Sequence, residues 1–157
     1  MAYLDGVLAG LECQTVNNFE VILVDNGSSD GSCAFVSARY PWVHLIELPE
    51  NFGFCKAVNE GIKASRAPYV LLLNNDIEVT ENFIEEMISA IRRQPKAFSC
   101  AARMIQFHDR DKLDDAGNYY CALGWAYARG KGKDIHTYEK EEKIFASCAG
   151  AAIYRKK

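Results

Sequence analysis

The chain has 157 residues, 49% hydrophobic and 25% charged, with a formal net charge of −3. That length holds one domain with a sizeable core, and the composition is that of an ordinary globular protein. The slightly acidic balance argues against nucleic acid as a partner. No apolar run is long enough to span a bilayer, and no signal-peptide pattern is present.

The chain opens on a helical stripe, with Tyr3, Leu4, Val7, Leu8 and Leu11 at helical spacing. "EVILVD" (20–25) predicts a short strand, and "NGSSDGS" a dense turn. Cys33 to Arg39 predicts a short helix, with Asp30 or Ser32 as its cap. "WVHLIEL" predicts a second strand. Gly53 to Ser65 predicts a helix with Phe54, Val58 and Ile62 on one stripe. "YVLLLN" predicts a third strand. Phe83, Ile84, Met87, Ile88 and Ile91 mark an amphipathic helix, capped near Thr80 with Glu81 in its first turn.

Strand and helix therefore alternate as far as Gln94, and the strands are continuously apolar. That pattern predicts a parallel sheet buried between helices. "AFSCAARMI" suggests a further strand. Residues 106–143 are polar, glycine-bearing and aromatic, with weak periodicity, and predict a long excursion over one face of the sheet. "SCAGAAIYRKK" returns to a small-residue turn and a strand.

Six cysteines at 13, 33, 55, 100, 121 and 148 form no CxxC pair, and reduced, mostly buried thiols are expected. His44, His108 and His136 have no metal-ligand spacing.

In an open α/β sheet, ligands bind beyond the carboxyl ends of the strands. Three polar clusters fall at such ends: Asp25-Asn26-Gly27-Ser28, Glu50-Asn51-Phe52-Gly53 and Asn74-Asn75-Asp76. Singly, each has a local explanation as a turn former or helix opener. Together they suit a nucleoside diphosphate. Asp25 can accept hydrogen bonds from a base or ribose. Gly53 allows close backbone approach at a helix amino end, where anions are favoured. Asp76 can hold a hard divalent ion, Mn²⁺ or Mg²⁺, against a pyrophosphate, because such ions need only one or two protein carboxylates. "RGKGKD" (129–134) is either a phosphate-gripping loop or a solvated turn. Tyr119, Tyr120, Trp125 and Tyr127 suit sugar stacking or local anchoring.

These motifs resemble the family 2 glycosyltransferases. "FEVILVDNGSSDGS" resembles that family's strand-turn signature, "ENFGFCKAVNEGI" its helix behind the nucleotide, and "LLLNNDIEV" its DxD element. The late segment from "LDDAGNYY" to "GAAIYRKK" is similar to the rhamnosyltransferase-like branch. The resemblance implies the GT-A fold, a Rossmann-like three-layer α/β/α sandwich with a mostly parallel sheet whose opening strand is missing before Met1. It implies one partial domain over 1–157, with a nucleotide-sugar-binding half at 1–105 and the start of an acceptor-side half at 106–157. The donor set it implies is Asp25, Asn26, Gly27, Ser28, Asn51, Gly53, Asn59, Asn74, Asn75 and Asp76. Asp76 is the metal ligand, and Asn74 replaces the first DxD acid. Asp114 and Asp115, just before Gly117, are either sugar or acceptor contacts or solvated carboxylates, and the resemblance places Gly150 near the acceptor side. The catalytic base is expected beyond Lys157.

The implied activity is metal-assisted, inverting transfer from a nucleotide-diphosphosugar to a saccharide or other hydroxyl acceptor, in cell-surface polysaccharide synthesis. A cytoplasmic location follows, with peripheral contact at the inner membrane face and pairing of two copies both compatible. The alternative is an inactive nucleotide-binding or interaction module. A nucleotidyltransferase would need a basic loop after its first strand, and "DNGSSDGS" has no lysine or arginine.

Overall fold

Leu4, Val7, Leu8 and Leu11 fall on one face of the first helix, and all four are buried. Each contributes about 1.5–3 kcal/mol relative to an exposed side chain. The computed structural model describes residues 2–156. Among them, helices α1 (Ala2–Glu12), α2 (Ser32–Arg39), α3 (Phe54–Ala64) and α4 (Phe83–Arg93) alternate with strands β1 (Ile22–Asp25), β2 (His44–Glu47) and β3 (Tyr69–Leu73). Short strands follow: β4 (Ser99–Ala101), β5 (Met104–Ile105), β6 (Leu113–Asp115), β7 (Asn118–Tyr120), β8 (Ala126–Ala128) and β9 (Ala151–Arg155).

The α1 stripe packs with Val36, Tyr40, Val43 and Ile84, and Leu23 of β1 and Leu73 of β3 press against it. The next residue of β1, Val24, points the other way and meets α3 at Gly61, where a Cβ would lie 3.2 Å from Val24 Cγ2. Successive strand residues face opposite sides, so helices cover both faces of β1. A second cluster joins Met87 and Ile91 of α4 to Ile153 of β9.

The expected mostly parallel sheet is mixed. β1 and β2 are parallel, with Asp25 opposite Glu47. β9 lies between β3 and β4 and runs antiparallel to both. The α4 crossover leaves one strand position open between β3 and β4, and the small residues Ala151 and Ala152 of β9 fill it, fully buried. No hydrogen bond among the described residues joins β1 to β3. α3 carries no buried residue, and Phe54, expected on its packed stripe, is 60% exposed.

At α2 the N-cap residue is Gly31, and the expected Asp30 carboxylate accepts from the Ser32 amide at 3.1 Å, whereas ends of α4 and α3 are held by distant side chains. The N-cap of α4 is Asn82, with no side-chain cap of its own. Buried Gln14 supplies it instead: Oε1 accepts from the Ile84 amide at 2.9 Å, while Nε2 donates to the carbonyls of Gly10 and Thr80. At the other end of α4, the Arg155 guanidinium donates to the carbonyls of Ile91 and Gln94. Lys156 does the same for α3 at Ile62. Cations suit the carbonyl end of a helix.

The 106–143 excursion is not structureless. Its β6 pairs back onto β5, just ahead of it, and β7 pairs with β8, both pinned by the bridges Lys112–Asp134 and Asn118–Ala146. Arg129 is buried inside it, donating to Ala116 O at 3.1 Å, pairing with Glu142 and lying 3.9 Å over the Tyr138 ring. It is therefore an anchor and not a phosphate grip. The six thiols are unpaired, and the expected full burial is not seen: Cys13 and Cys55 are exposed and Cys33, Cys100, Cys121 and Cys148 are partly buried.

Candidate functional site

β1 ends on Asp25, whose Oδ2 accepts hydrogen bonds from the amides of Gly27 (3.1 Å) and Ser28 (2.9 Å). The carboxylate thus closes its own turn. Partial burial pushes its carboxyl up, but hydrogen bonds from Ser28, the Cys33 thiol and the Gly27 amide outweigh this and hold it below the usual carboxylate range. Asp25 is therefore ionised at neutral pH. Burial, reinforced by Glu47 and Asp25, pushes the Cys33 thiol up to about 11, so it remains a donor and not a thiolate.

The turn after β1 is locked to the turn after β2. Asn26 Nδ2 donates to Asn51 Oδ1 at 2.9 Å, and Asn26 Oδ1 accepts from the Phe52 amide at 3.0 Å. Asn51 Oδ1 also accepts from the Gly53 amide at 2.9 Å, at the amino end of α3. Gly27 has φ +79°, and a Cβ there would lie 2.6–2.8 Å from backbone atoms of Glu50 and Asn51. Two of the three polar clusters are thereby one unit. Asn59 lies farther along α3, exposed, and no hydrogen bond among the described residues ties it to that unit.

The third cluster is anchored elsewhere. The Asn74 amide donates to Gly150 O at 2.9 Å. A Cβ on buried Gly150 would meet Met104 Cε at 3.6 Å and Cys148 Sγ at 3.7 Å, and Met104 is the strand partner of Asp115. So Asn74, Gly150, Asp115 and Gly117 form one connected region. Asp76 is exposed and lines a cavity of about 80 Å³ with Tyr3, Gly6, Ile77, Glu78 and Phe107. Glu78 was missed in the sequence, although its place two residues after Asp76 was a signal. Arg110, which pairs with Glu78 at 2.7 Å, had none.

Asp115 is 5% exposed, and its Oδ1 accepts from the Gly117 amide. Burial and neighbouring Asp114 raise its carboxyl above the ordinary 3.8, against the pull of hydrogen bonds from Gly117 and the Cys148 thiol. The native state then holds this proton more tightly than the unfolded chain does. Asp115 favours folding below pH 3.8, and that contribution is lost as pH rises through the raised native value. Asp115→Asn keeps an acceptor for Gly117 and removes the titration. Denaturant melts from pH 3.5 upward should show wild type losing stability relative to the variant as pH rises; parallel curves would refute this.

No group of three or more His, Cys, Asp or Glu among the described residues can hold a metal by itself. The donors the Asp76 cavity offers a cation are the two carboxylate oxygens of Asp76, because Glu78 is already paired with Arg110. They fit a hard divalent cation whose shell is completed by phosphate and water. No helix among the described residues is long and apolar enough to cross a membrane.

A family model described as "Glycosyl transferase family 2" matches residues 2–157. An N-acetylglucosaminyl-diphospho-decaprenol L-rhamnosyltransferase of Mycobacterium tuberculosis is 32% identical over 106 residues, covering 60% of this chain and 34% of the relative. Glycosyltransferase GlyG of Streptococcus pneumoniae is 28% identical over 110 residues, 68% of this chain and 35% of the relative. The chain thus spans about a third of the length of these curated relatives. Among solved structures, S. aureus TarS 1–349 has a TM-score of 0.67 at 19% identity, covering 98% of this chain and 43% of TarS 1–349. The same TarS fragment has been solved in complex with UDP. A mannosyltransferase from Pyrobaculum calidifontis, in complex with GDP-Man and Mn²⁺, has a TM-score of 0.61 at 18% identity, covering 66% of this chain and 32% of that one. The α/β fold of this chain is the GT-A fold of these structures.

Proposed function

The chain belongs to glycosyltransferase family 2, and from that premise we propose that it binds the donor in a sugar-transfer enzyme. The donor is a nucleotide-diphosphosugar and the acceptor a saccharide hydroxyl, in the synthesis of a cell-surface polysaccharide. The observation that carries the reading is the Asn26–Asn51 lock, which fuses two polar turns at the carboxyl ends of parallel strands. UDP and GDP-Man in the structural neighbours support the choice of ligand.

In this reading residues 1–105 hold the donor and 106–157 begin the acceptor side. The ionised Asp25 accepts hydrogen bonds from the base or ribose. Asn26, Gly27, Ser28, Asn51 and Gly53 shape the floor on which the nucleotide lies, and the amino end of α3 favours its phosphates. Asn59 borders that floor. Asn74 and Asn75 orient the ribose and diphosphate. Asp76 is the carboxylate for Mn²⁺ or Mg²⁺. When bound, the ion neutralises charge on the departing diphosphate. Asp115 and Gly117 set the shape of the acceptor side through Gly150. Transfer proceeds by direct displacement with inversion. The unpaired thiols suit a reducing, cytoplasmic setting. A lipid-linked acceptor, such as the one the mycobacterial relative's name describes, would bring the enzyme to a membrane surface.

The test is a melting panel of UDP, GDP, CDP and dTDP, each with and without Mn²⁺. At a concentration a hundredfold above its Kd, a true ligand stabilises by about 2.7 kcal/mol. At least one diphosphate should raise the melting temperature, and more so with Mn²⁺. A flat panel would overturn the proposal.

A further inference from the structure

Two residues that line the Asp76 cavity, Glu78 and Phe107, hold a cation that the donor reading leaves unused. Arg110 sits in the turn between β5 and β6. Its Nη2 bonds Glu78 Oε2 at 2.7 Å, and its guanidinium carbon lies 4.7 Å over the Phe107 ring. Phe107 in turn packs edge-on against Tyr3 at 6.2 Å between ring centres. Glu78, Phe107 and Tyr3 all line the cavity beside Asp76.

We propose that Arg110 is a second diphosphate-binding group, parked on Glu78 until the donor arrives. This rests on the donor reading above. A diphosphate carries more negative charge than one divalent ion held by a carboxylate neutralises. A guanidinium meets phosphate oxygens two at a time, in a planar fork that a lysine lacks. In the parked state, the hydrogen bonds described here use one nitrogen of that fork. The Arg110 and Glu78 side chains are 55% and 56% exposed, so changing partners unpacks nothing. An exposed ion pair is weak and salt-screened, which makes Glu78 a replaceable partner. Phe107 holds the guanidinium at the cavity edge throughout. The adjacent Asp109 does not compete for it, because Lys112 already pairs with Asp109 at 2.7 Å.

The experiment titrates inorganic pyrophosphate with Mn²⁺, which removes the unknown base from the question. Arg110→Ala should weaken pyrophosphate binding about tenfold, with an unchanged melting temperature. Arg110→Lys should recover only part of the loss. Glu78→Gln should bind at least as tightly as wild type, because it releases Arg110. If wild type binds and Arg110→Ala binds equally well, this inference falls and the donor reading stands. If Glu78→Gln is as weak as Arg110→Ala, Glu78 is itself a metal ligand and the parking role is wrong. If wild type binds neither Mn²⁺-pyrophosphate nor any nucleoside diphosphate, both readings fall.

Discussion

Gly27→Ala should lower nucleoside-diphosphate affinity by far more than tenfold while leaving the α1–α4 core folded. The new methyl would sit 2.6–2.8 Å from the Glu50 and Asn51 main chain, which cannot step aside as a flexible side chain can. The residue also has φ +79°, a conformation that costs an L-residue about 1–2 kcal/mol. Relief requires the two turns to separate, and separation breaks the Asn26–Asn51 and Asn26–Phe52 hydrogen bonds together. Gly53→Ala is the internal control. Its φ of +84° and ψ of 164° also suit glycine, but a Cβ there meets nothing within 4 Å. It should carry strain of about 1–3 kcal/mol and a milder loss of binding. Calorimetric titration of both variants checks the order, and equal losses would mean that the turn–turn lock is not what shapes the floor.

Asp76→Ala should abolish the Mn²⁺-dependent part of nucleotide binding and leave the melting temperature unchanged. The side chain is exposed and takes part in none of the hydrogen bonds described here, so the fold does not depend on it. Asn74→Asp should act in the opposite sense, since a second carboxylate raises the attraction for a hard cation. Asp25→Ala should weaken binding with and without metal, because its loss frees the Gly27 and Ser28 amides and loosens the turn. Titrations with and without Mn²⁺ separate the two effects. An Asp76→Ala protein with undiminished Mn²⁺ dependence would remove the metal role from this residue.

Much of the fold was legible because it is written in periodicity. The α1 stripe and the amphipathic face of α4 bury residues that the spacing selected, and the apolar runs of β1 and β3 add partly buried residues to the same clusters. "AAIYR" was legible as a strand, but its insertion between β3 and β4 was not, since small buried residues do not say which neighbours they separate. Strands β5 to β8 have two or three residues each, too short to carry a period. Gln14 capping α4 spans 70 residues, and no local pattern encodes such a contact. The proposed site starts from the residue types at three strand ends, which the sequence displays directly. The Asn26–Asn51 lock and the Arg110–Glu78 pair depend on side-chain placement across the chain and emerged only in the structure.

The central claim is that the fused turns at 25–28 and 51–53 and the acidic segment at 74–78 bind one metal–nucleotide complex. The most direct measurement is the amide NMR spectrum of the 157-residue chain titrated with a nucleoside diphosphate, first with Mg²⁺ and then with Mn²⁺. Mg²⁺-nucleotide should shift the amides of Gly27, Ser28, Phe52 and Gly53, and Mn²⁺ should broaden those of residues 74–78 most strongly. Mn²⁺ broadening centred elsewhere, with residues 25–28, 51–53 and 74–78 unperturbed by ligand, would contradict the account.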